Sequence, residues 1–111
     1  MDKDTLYVSD LDGTLLNSQG EISSYSLKVI NELIEQGMKF TYATARSLVS
    51  ASKAVKGLSL HIPVIVYNGV FILEADTGKI LYSTGFSNQE QEDIRLILER
   101  EKLFPLVYTY K

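Results

Sequence analysis

Short apolar segments and longer segments of helical pattern alternate along the first part of the chain. Residues 5–9, 38–43 and 63–67 are short apolar runs with aromatic or β-branched side chains, and each ends close to a polar or turn-forming position. Such runs are typical of strands, and the first two of them lead into polar loops. In the segments between them, 23–37 and 47–57, apolar side chains recur every three or four positions. This spacing predicts two amphipathic helices.

Both predicted helices carry residues that favour their ends. Ser23 or Ser24 can cap the first helix and Ser47 the second, because a serine hydroxyl accepts a hydrogen bond from a main-chain N–H group of the first turn. Gly37 and Gly57 follow the last apolar positions, and glycine readily takes the left-handed conformation that ends a helix.

The order strand, helix, strand, helix, strand predicts an α/β fold. In this order consecutive strands pair in parallel, and the connections between them are right-handed. The run 5–9 has the pattern of a buried strand, and the run 63–67 is apolar on both faces, as in sheets covered by helices on both sides. We therefore expect a Rossmann-like parallel sheet in this part of the chain.

The pattern changes after Gly69, where we expect a second structural unit to begin. Residues 70–73 and 80–82 are apolar runs on either side of a polar turn, which predicts a β-hairpin. Residues 87–102 open with serine followed three positions later by glutamate, a capping box that predicts a helix. Residues 106–110 form a last strand candidate. Strands and helix in this order suggest an α+β unit.

Composition and charge exclude several classes of function. The chain has 111 residues, 45% apolar and 23% charged, which suits one soluble globular domain. A net charge of −3 provides no basic surface for nucleic acid or anionic lipid. The absence of cysteine excludes disulfides and thiolate chemistry. We see neither a signal peptide nor an apolar run long enough for a bilayer, so we expect a cytoplasmic protein without nucleic-acid or membrane partners.

Two carboxylates follow the first predicted strand directly, in the sequence Asp10-Leu11-Asp12-Gly13. In open parallel sheets, ligands bind outside the carboxyl ends of the strands. A magnesium ion would relieve the repulsion between the two carboxylates and would bring a substrate phosphate with it. One carboxylate could then attack phosphorus while the other transfers protons. Gly13 allows a tight turn whose main-chain amides can approach a phosphate. A plain Asp-Gly turn and the manganese-binding Asp-x-Asp of a glycosyltransferase are the alternatives.

Three further residues follow the second and third predicted strands. Thr44 comes after the second strand, where its hydroxyl and the amides that open the next helix can bind a phosphate oxygen. Arg46 could steer an anionic substrate, although an arginine there is also compatible with simple solvent exposure. Asn68 ends the third strand in an Asn-Gly turn and either faces the substrate or serves the turn alone.

The segment Asp-Leu-Asp-Gly-Thr-Leu-Leu at residues 10–16 resembles the first motif of the haloacid dehalogenase-like superfamily, in particular its Cof-type sugar-phosphate phosphatases. The resemblance implies that Asp10 is the nucleophile that becomes an aspartyl-phosphate and that Asp12 is the general acid/base. It implies that magnesium is held by the Asp10 carboxylate and the main-chain carbonyl of Asp12. Asp10, Leu11, Asp12 and Gly13 would form the phosphate-binding loop.

The second motif of the family is matched at Thr44, where the resemblance implies a contact with the transferred phosphoryl group. The family usually has Thr-Gly-Arg at this point, and the chain has Ala45 in place of the glycine. Asn68 and Gly69 are similar to the Asn-Gly-Ala turn that ends the third strand in Cof-type proteins. The lysine and the acidic pair that complete the family's active site have no counterpart in this sequence.

The resemblance therefore implies that residues 1–69 are part of a haloacid dehalogenase-like core and that residues 70–111 are the start of a cap domain. We expect a magnesium-dependent phosphatase of small phosphorylated metabolites, of which this chain is a truncated and inactive portion. A phosphosugar mutase of the same superfamily and a non-enzymatic remnant or binding module are the alternatives. Because the missing portion covers the first strand in the family, we also expect this chain to self-associate through that strand.

Overall fold

The computed structural model describes residues 4–109. Within these residues, five strands and three α-helices follow one another in the order β1, α1, β2, α2, β3, β4, β5, α3. The strands are β1 Leu6–Ser9, β2 Lys39–Tyr42, β3 Val64–Val66, β4 Phe71–Leu73 and β5 Ile80–Ser83. The helices are α1 Ser24–Glu35, α2 Leu48–Ala54 and α3 Asn88–Glu101. The alternation of strands and helices up to β3 and the hairpin β4–β5 are as the sequence predicts, and the α/β fold class is confirmed.

The first three strands lie side by side in the order β1, β2, β3. β1 pairs with β2 in parallel, with Leu6 opposite Lys39 and Ser9 opposite Tyr42. β3 is joined to the β2 edge by one parallel bridge, from Ala43 to Ile65. At the start of β3 the Thr41 hydroxyl donates to the carbonyl of Pro63 at 2.7 Å. This side-chain hydrogen bond joins β2 to the start of β3 next to Pro63, a residue that has no N–H group to donate in the sheet.

The predicted helix ends are confirmed at the level of individual hydrogen bonds. Ser23 caps α1 by accepting from the Ser26 amide, and Ser47 caps α2 by accepting from the Ser50 amide. Ser87 and Glu90 form the reciprocal hydrogen bonds of a capping box at α3. Gly37 has φ +102° just after α1, the left-handed conformation that ends a helix.

One apolar core unites the parallel strands, α2 and the hairpin. Its buried residues come from the loop after β1, from β2, α2 and β3, and from β4: Leu11, Leu16, Tyr42, Ala51, Val55, Val64, Val66, Phe71 and Leu73. β4 pairs antiparallel with β3, and β5 with β4. The hairpin therefore continues the sheet and the core across Gly69. The division into units 1–69 and 70–111 stays a prediction.

Two expectations are corrected. Residues 103–109 have no regular structure, so the strand predicted over 106–110 is not formed in 106–109, and Tyr110 lies outside the described residues. The reason is that Leu106 and Val107 are 84% and 75% exposed with no strand beside them, and a strand requires a partner for its main chain. β1 is a strand as predicted, but it is not buried: Leu6, Tyr7 and Val8 are 44–50% exposed.

The helix α3 lies outside the core, since none of its residues is buried. Its apolar stripe, Ile94, Ile97 and Leu98, is only partly covered. In the segment after α3, the ring of Tyr108 contacts the ring of Tyr67 with 4.7 Å between centroids. No helix within residues 4–109 combines the length and the apolar character needed to cross a membrane.

Candidate active site

The candidate residues gather where the chain leaves the three parallel strands. Ser9 lies opposite Tyr42 at the end of the β1–β2 ladder, and the Ala43 amide donates to the Ser9 carbonyl at 2.9 Å. The Thr44 amide donates to the Ile65 carbonyl at 3.0 Å, one residue before the end of β3. Parallel strands have their carboxyl ends at the same edge of a sheet. The loops that begin at Asp10, Ala43 and Tyr67 therefore share this edge.

The loop after β1 is a tight five-residue turn, Leu11–Leu15. Asp10 begins it, and its Oδ1 accepts from the Leu11 amide at 2.7 Å. Leu11 is fully buried and fixes the loop to the core, while its carbonyl accepts from the Leu16 amide at 2.9 Å. Asp12 and Gly13, with φ/ψ of −65°/126° and 77°/1°, occupy the central positions of a type II turn. The carboxylates thus lie on a short, hydrogen-bonded loop next to the end of β1.

Thr44 is buried, with 5% of its surface exposed, and its main chain is held on both sides. The Asn68 amide donates to its carbonyl at 3.0 Å, and its Oγ1 accepts from the Arg46 amide at 3.1 Å. A hydroxyl that accepts one hydrogen bond retains its own proton for donation to an acceptor such as a phosphate oxygen. Ala45 does not take a positive φ, so the backbone at this point does not require the glycine that the family usually has there.

Arg46 forms an ion pair with Asp12, a contact that the sequence analysis did not predict. Its Nε donates to Oδ2 at 2.8 Å and its Nη2 to Oδ1 at 2.7 Å, so that the guanidinium engages both carboxylate oxygens. Hydrogen bonding from Arg46, aided by its charge, lowers the pKa of Asp12 below its ordinary value. The folded-state pKa is depressed, so the stabilising effect of this ion pair is present above the ordinary carboxyl pKa and is lost as the pH falls through the lowered one. Asp12 is therefore ionised at neutral pH.

The ion pair of Arg46 and Asp12 cannot be predicted from the sequence without knowledge of the fold. The two residues are 34 positions apart, and neither spacing nor composition connects them. The common position of both loops at the carboxyl ends of adjacent strands brings them together.

The loop after β3 turns sharply at Tyr67–Gly69. Tyr67, Asn68 and Gly69 have φ values of +48°, +56° and +90°, and a positive φ at a bulky tyrosine is strained. The Tyr67 amide donates to the Arg46 carbonyl at 3.0 Å, and the Asn68 amide contacts Thr44 as described above. Asn68 is exposed at the same edge as Asp10. Its predicted contact with substrate is neither supported nor opposed by these hydrogen bonds.

The donors at this edge fit magnesium in kind but not in number. Carboxylate and carbonyl oxygens of Asp10 and Asp12 are ligands that magnesium prefers. Within residues 4–109, however, no three side chains of His, Cys, Asp or Glu are grouped as a metal site. One Asp10 oxygen already accepts from the Leu11 amide, and both Asp12 carboxylate oxygens are engaged by Arg46. The described residues therefore provide only part of a magnesium site.

Two surface cavities of about 350 and 430 Å³ lie away from this edge. Both are bordered by His61 and Asp76, and neither includes Asp10, Asp12 or Thr44. His61 precedes β3, at the end of that strand opposite to the candidate site. The shape of these two cavities therefore gives no guide to the substrate of the candidate site.

Comparison with known proteins gives a consistent group of relatives. The chain matches the family of haloacid dehalogenase-like hydrolases over residues 7–111. It is 40% identical over 83 residues to a 5-amino-6-(5-phospho-D-ribitylamino)uracil phosphatase of Bacillus subtilis. The aligned region covers 73% of this chain and 27% of that protein. It is 31% identical to an HMP-PP phosphatase of Serratia proteamaculans over 77% of this chain and 31% of that protein.

A solved structure of a haloacid dehalogenase-like hydrolase from B. subtilis superimposes with a TM-score of 0.73 at 27% identity. It covers 87% of this chain and 34% of the other. The chain spans about a third of the length of the curated relatives that it matches.

Proposed function

Because the chain belongs to the haloacid dehalogenase-like hydrolase family, we propose that it is part of a phosphatase that hydrolyses a small phosphorylated metabolite through an aspartyl-phosphate. The observation that carries the proposal is the position of Asp10, Asp12 and Thr44 at one edge of the sheet, each on a loop fixed by main-chain hydrogen bonds. The names of relatives as phosphatases support the same reaction class. The proposal concerns the whole protein, of which residues 1–111 carry the first motifs.

The first chemical step uses both carboxylates. The Asp10 carboxylate attacks phosphorus, so that a bond forms between phosphorus and a carboxylate oxygen and the phosphoester bond to the leaving group breaks. The leaving oxygen takes a proton from the Asp12 carboxyl group, which must be protonated for this step although the ion pair with Arg46 favours its ionised form. Thr44 donates its hydroxyl proton to a phosphoryl oxygen, and the amides of the Leu11–Leu15 turn approach the same group.

The second step returns the enzyme to its first form. A water molecule attacks phosphorus, Asp12 accepts a proton from it, and the bond to Asp10 breaks to release inorganic phosphate. The ionised state of Asp12 in the ion pair with Arg46 is the form that accepts this proton. The sum of both steps is hydrolysis of one phosphoester by one water molecule.

Magnesium, when bound, would neutralise charge on the phosphoryl oxygens as phosphorus is attacked. The Asp10 carboxylate and the Asp12 carbonyl would hold it, together with ligands that the described residues do not supply. Arg46 and Asn68 remain candidates for contact with the remainder of the substrate. We propose a cytoplasmic location on the grounds of sequence given above.

The proposal is tested by comparing the 111-residue chain with the full-length parent protein. Both are incubated with a panel of sugar phosphates and other phosphorylated metabolites, with magnesium and with a chelator, and inorganic phosphate is measured. We expect the parent to release phosphate only with magnesium and the 111-residue chain to be at least about 100-fold slower, because it has too few ligands. Failure of the parent on every phosphoester would contradict the proposal, and isomerisation of a sugar phosphate without release would identify a mutase.

A further inference from the structure

The carboxylate of Asp12 is held by one neighbour although most of the side chain faces solvent. It is 59% exposed, yet Arg46 donates to each of its two oxygens. A guanidinium that engages both oxygens of a carboxylate restricts its orientation as well as its position, because the donors have a fixed planar geometry. A lysine at the same place would supply the charge without this restriction.

Arg46 is itself anchored by both flanking elements of the site. Its amide donates to Thr44 Oγ1 at 3.1 Å, and its carbonyl accepts from the Tyr67 amide at 3.0 Å. Its Nη1 donates to the Ser50 hydroxyl on α2 at 3.0 Å. Arg46 therefore joins the loops that follow all three parallel strands. The strained φ of Tyr67, at +48°, is consistent with a position held by its surroundings.

A second arginine in the chain forms a similar ion pair without such links. On α3, Arg95 donates from Nε and Nη2 to the two carboxylate oxygens of Glu92. Both residues belong to the same exposed helix face, so this pair connects no loops. Replacement of Arg95 therefore measures the effect of losing an exposed arginine–carboxylate pair that connects no loops.

We propose that Arg46 is a positioning residue that holds the Asp12 carboxylate in the orientation required for proton transfer. This inference rests on the proposed function, in which Asp12 is the acid/base. It assigns Arg46 a role through Asp12 rather than through contact with the substrate. The two roles differ in their kinetic consequences, because a positioning defect lowers turnover whereas loss of a substrate contact weakens binding.

The test measures kcat and KM of the full-length parent with Arg46→Gln, Arg46→Lys and, as the matched control, Arg95→Gln. For Arg46→Gln we expect kcat to fall by roughly 10- to 100-fold, the range for residues that orient a reacting group, with KM changed by less than about threefold. Arg46→Lys should recover only part of kcat, since the charge returns without the two-point contact. Arg95→Gln should leave both parameters unchanged.

A double-mutant cycle decides whether Arg46 acts through Asp12. In an Asp12→Asn background, Arg46→Gln should lower the residual rate by less than about twofold, because the group that Arg46 positions is already absent. If the two changes combine independently, or if KM rises while kcat is kept, the positioning role is wrong. Ser50→Ala removes one anchor of the guanidinium and should lower kcat by a few-fold. If the Arg46 variants do not fold, the Ser50→Ala variant tests the proposal in their place.

The experiment separates this inference from the proposed function. If Asp10→Asn keeps its activity, the reaction does not proceed through Asp10 and the proposed function is wrong. If Asp10→Asn is inactive while Arg46→Gln behaves like Arg95→Gln, only the role of Arg46 is wrong.

Discussion

At Gly13 the conformation of the backbone, rather than the space around it, determines which residue the loop accepts. Gly13 has φ +77°, and no atom lies within 4 Å of the position that a Cβ would take. A Cβ would therefore meet no neighbouring atom, but it would place an L-residue in the left-handed region. This is the position that allows the chain to turn directly after Asp12.

We expect Gly13→Ala to lower the free energy of unfolding by about 1 kcal/mol, because of the strain of the left-handed conformation. Gly85→Ala is the matched control, since Gly85 also has open space around it but no positive φ. Urea denaturation of the two variants beside the unchanged chain measures the difference. Equal stability of both variants would show that the turn can relax without cost.

We expect substitution of each aspartate to block a different step of the reaction in the full-length parent. Asp10→Asn should abolish phosphatase turnover, because an amide is a poor nucleophile. Asp12→Asn should leave the attack possible but slow the later proton transfer, so that a phosphoenzyme is trapped or turnover is very slow. Phosphate release and intact-protein mass spectrometry measure both effects. Asp76→Asn, in the exposed hairpin turn, is the matched control, and near-normal activity of Asp10→Asn would exclude Asp10 as the nucleophile.

Among the elements, α3 is the one whose stability depends on local interactions. None of its residues is buried, so packing contributes little to it. Its first turn is stabilised by a capping box, in which the Ser87 amide donates to the Glu90 carboxylate at 2.8 Å and the Glu90 amide donates to the Ser87 hydroxyl at 3.1 Å. Arg95 contacts both Glu92 and Glu99 on its exposed face. Such a helix should open without unfolding of the core.

We expect Ser87→Ala to destabilise α3 by about 1 kcal/mol, because the Glu90 amide loses its hydrogen-bond acceptor. Ser87→Asp, which keeps an acceptor at the cap, should retain most of the protection. Hydrogen exchange of the amides within α3 and of those in β2 and β3 is the appropriate measurement. Faster exchange confined to α3 is the expected result, and equal acceleration in the core strands would show that α3 is coupled to the core.

In the molecule as a whole, β1 is an exposed edge strand of the sheet. Within residues 4–109 it pairs with β2 alone, and Leu6, Tyr7 and Val8 are 44–50% exposed. An apolar strand with an unpaired edge readily adds a strand from another chain. We therefore propose that the 111-residue chain self-associates through β1, with a twofold pairing of two copies as the simplest arrangement.

Light scattering across a dilution series tests this proposal. We expect the mass to exceed that of a monomer at high concentration and to fall on dilution. Val8→Lys should shift the equilibrium towards the monomer, because a lysine on an edge strand opposes pairing. Val49→Lys, at an 80% exposed position on α2, is the matched control and should not. A monomer at every concentration, or equal effects of the two lysines, would contradict pairing through β1.

The local elements of this protein could be predicted from its amino-acid sequence. Helix caps such as Ser23, Ser47 and Ser87 act within a few residues of themselves, so their patterns could be predicted without the fold. The alternation of strands and helices predicted the parallel pairing of β1 and β2, because a helix that connects two neighbouring strands of a sheet brings them together in parallel. The loop of Asp10 and Asp12 was also evident, because the two carboxylates are neighbours in the sequence.

Contacts between residues that are distant in the sequence depend on the folded arrangement of the strands. The contact of Arg46 with Asp12 depends on two loops that are brought to one sheet edge by strand pairing. The absence of a strand in 106–109 and the exposure of β1 likewise depend on which partners lie beside them. A strand pattern gives the tendency of a segment to be extended, but its hydrogen bonds and its burial come from neighbours that local sequence does not specify.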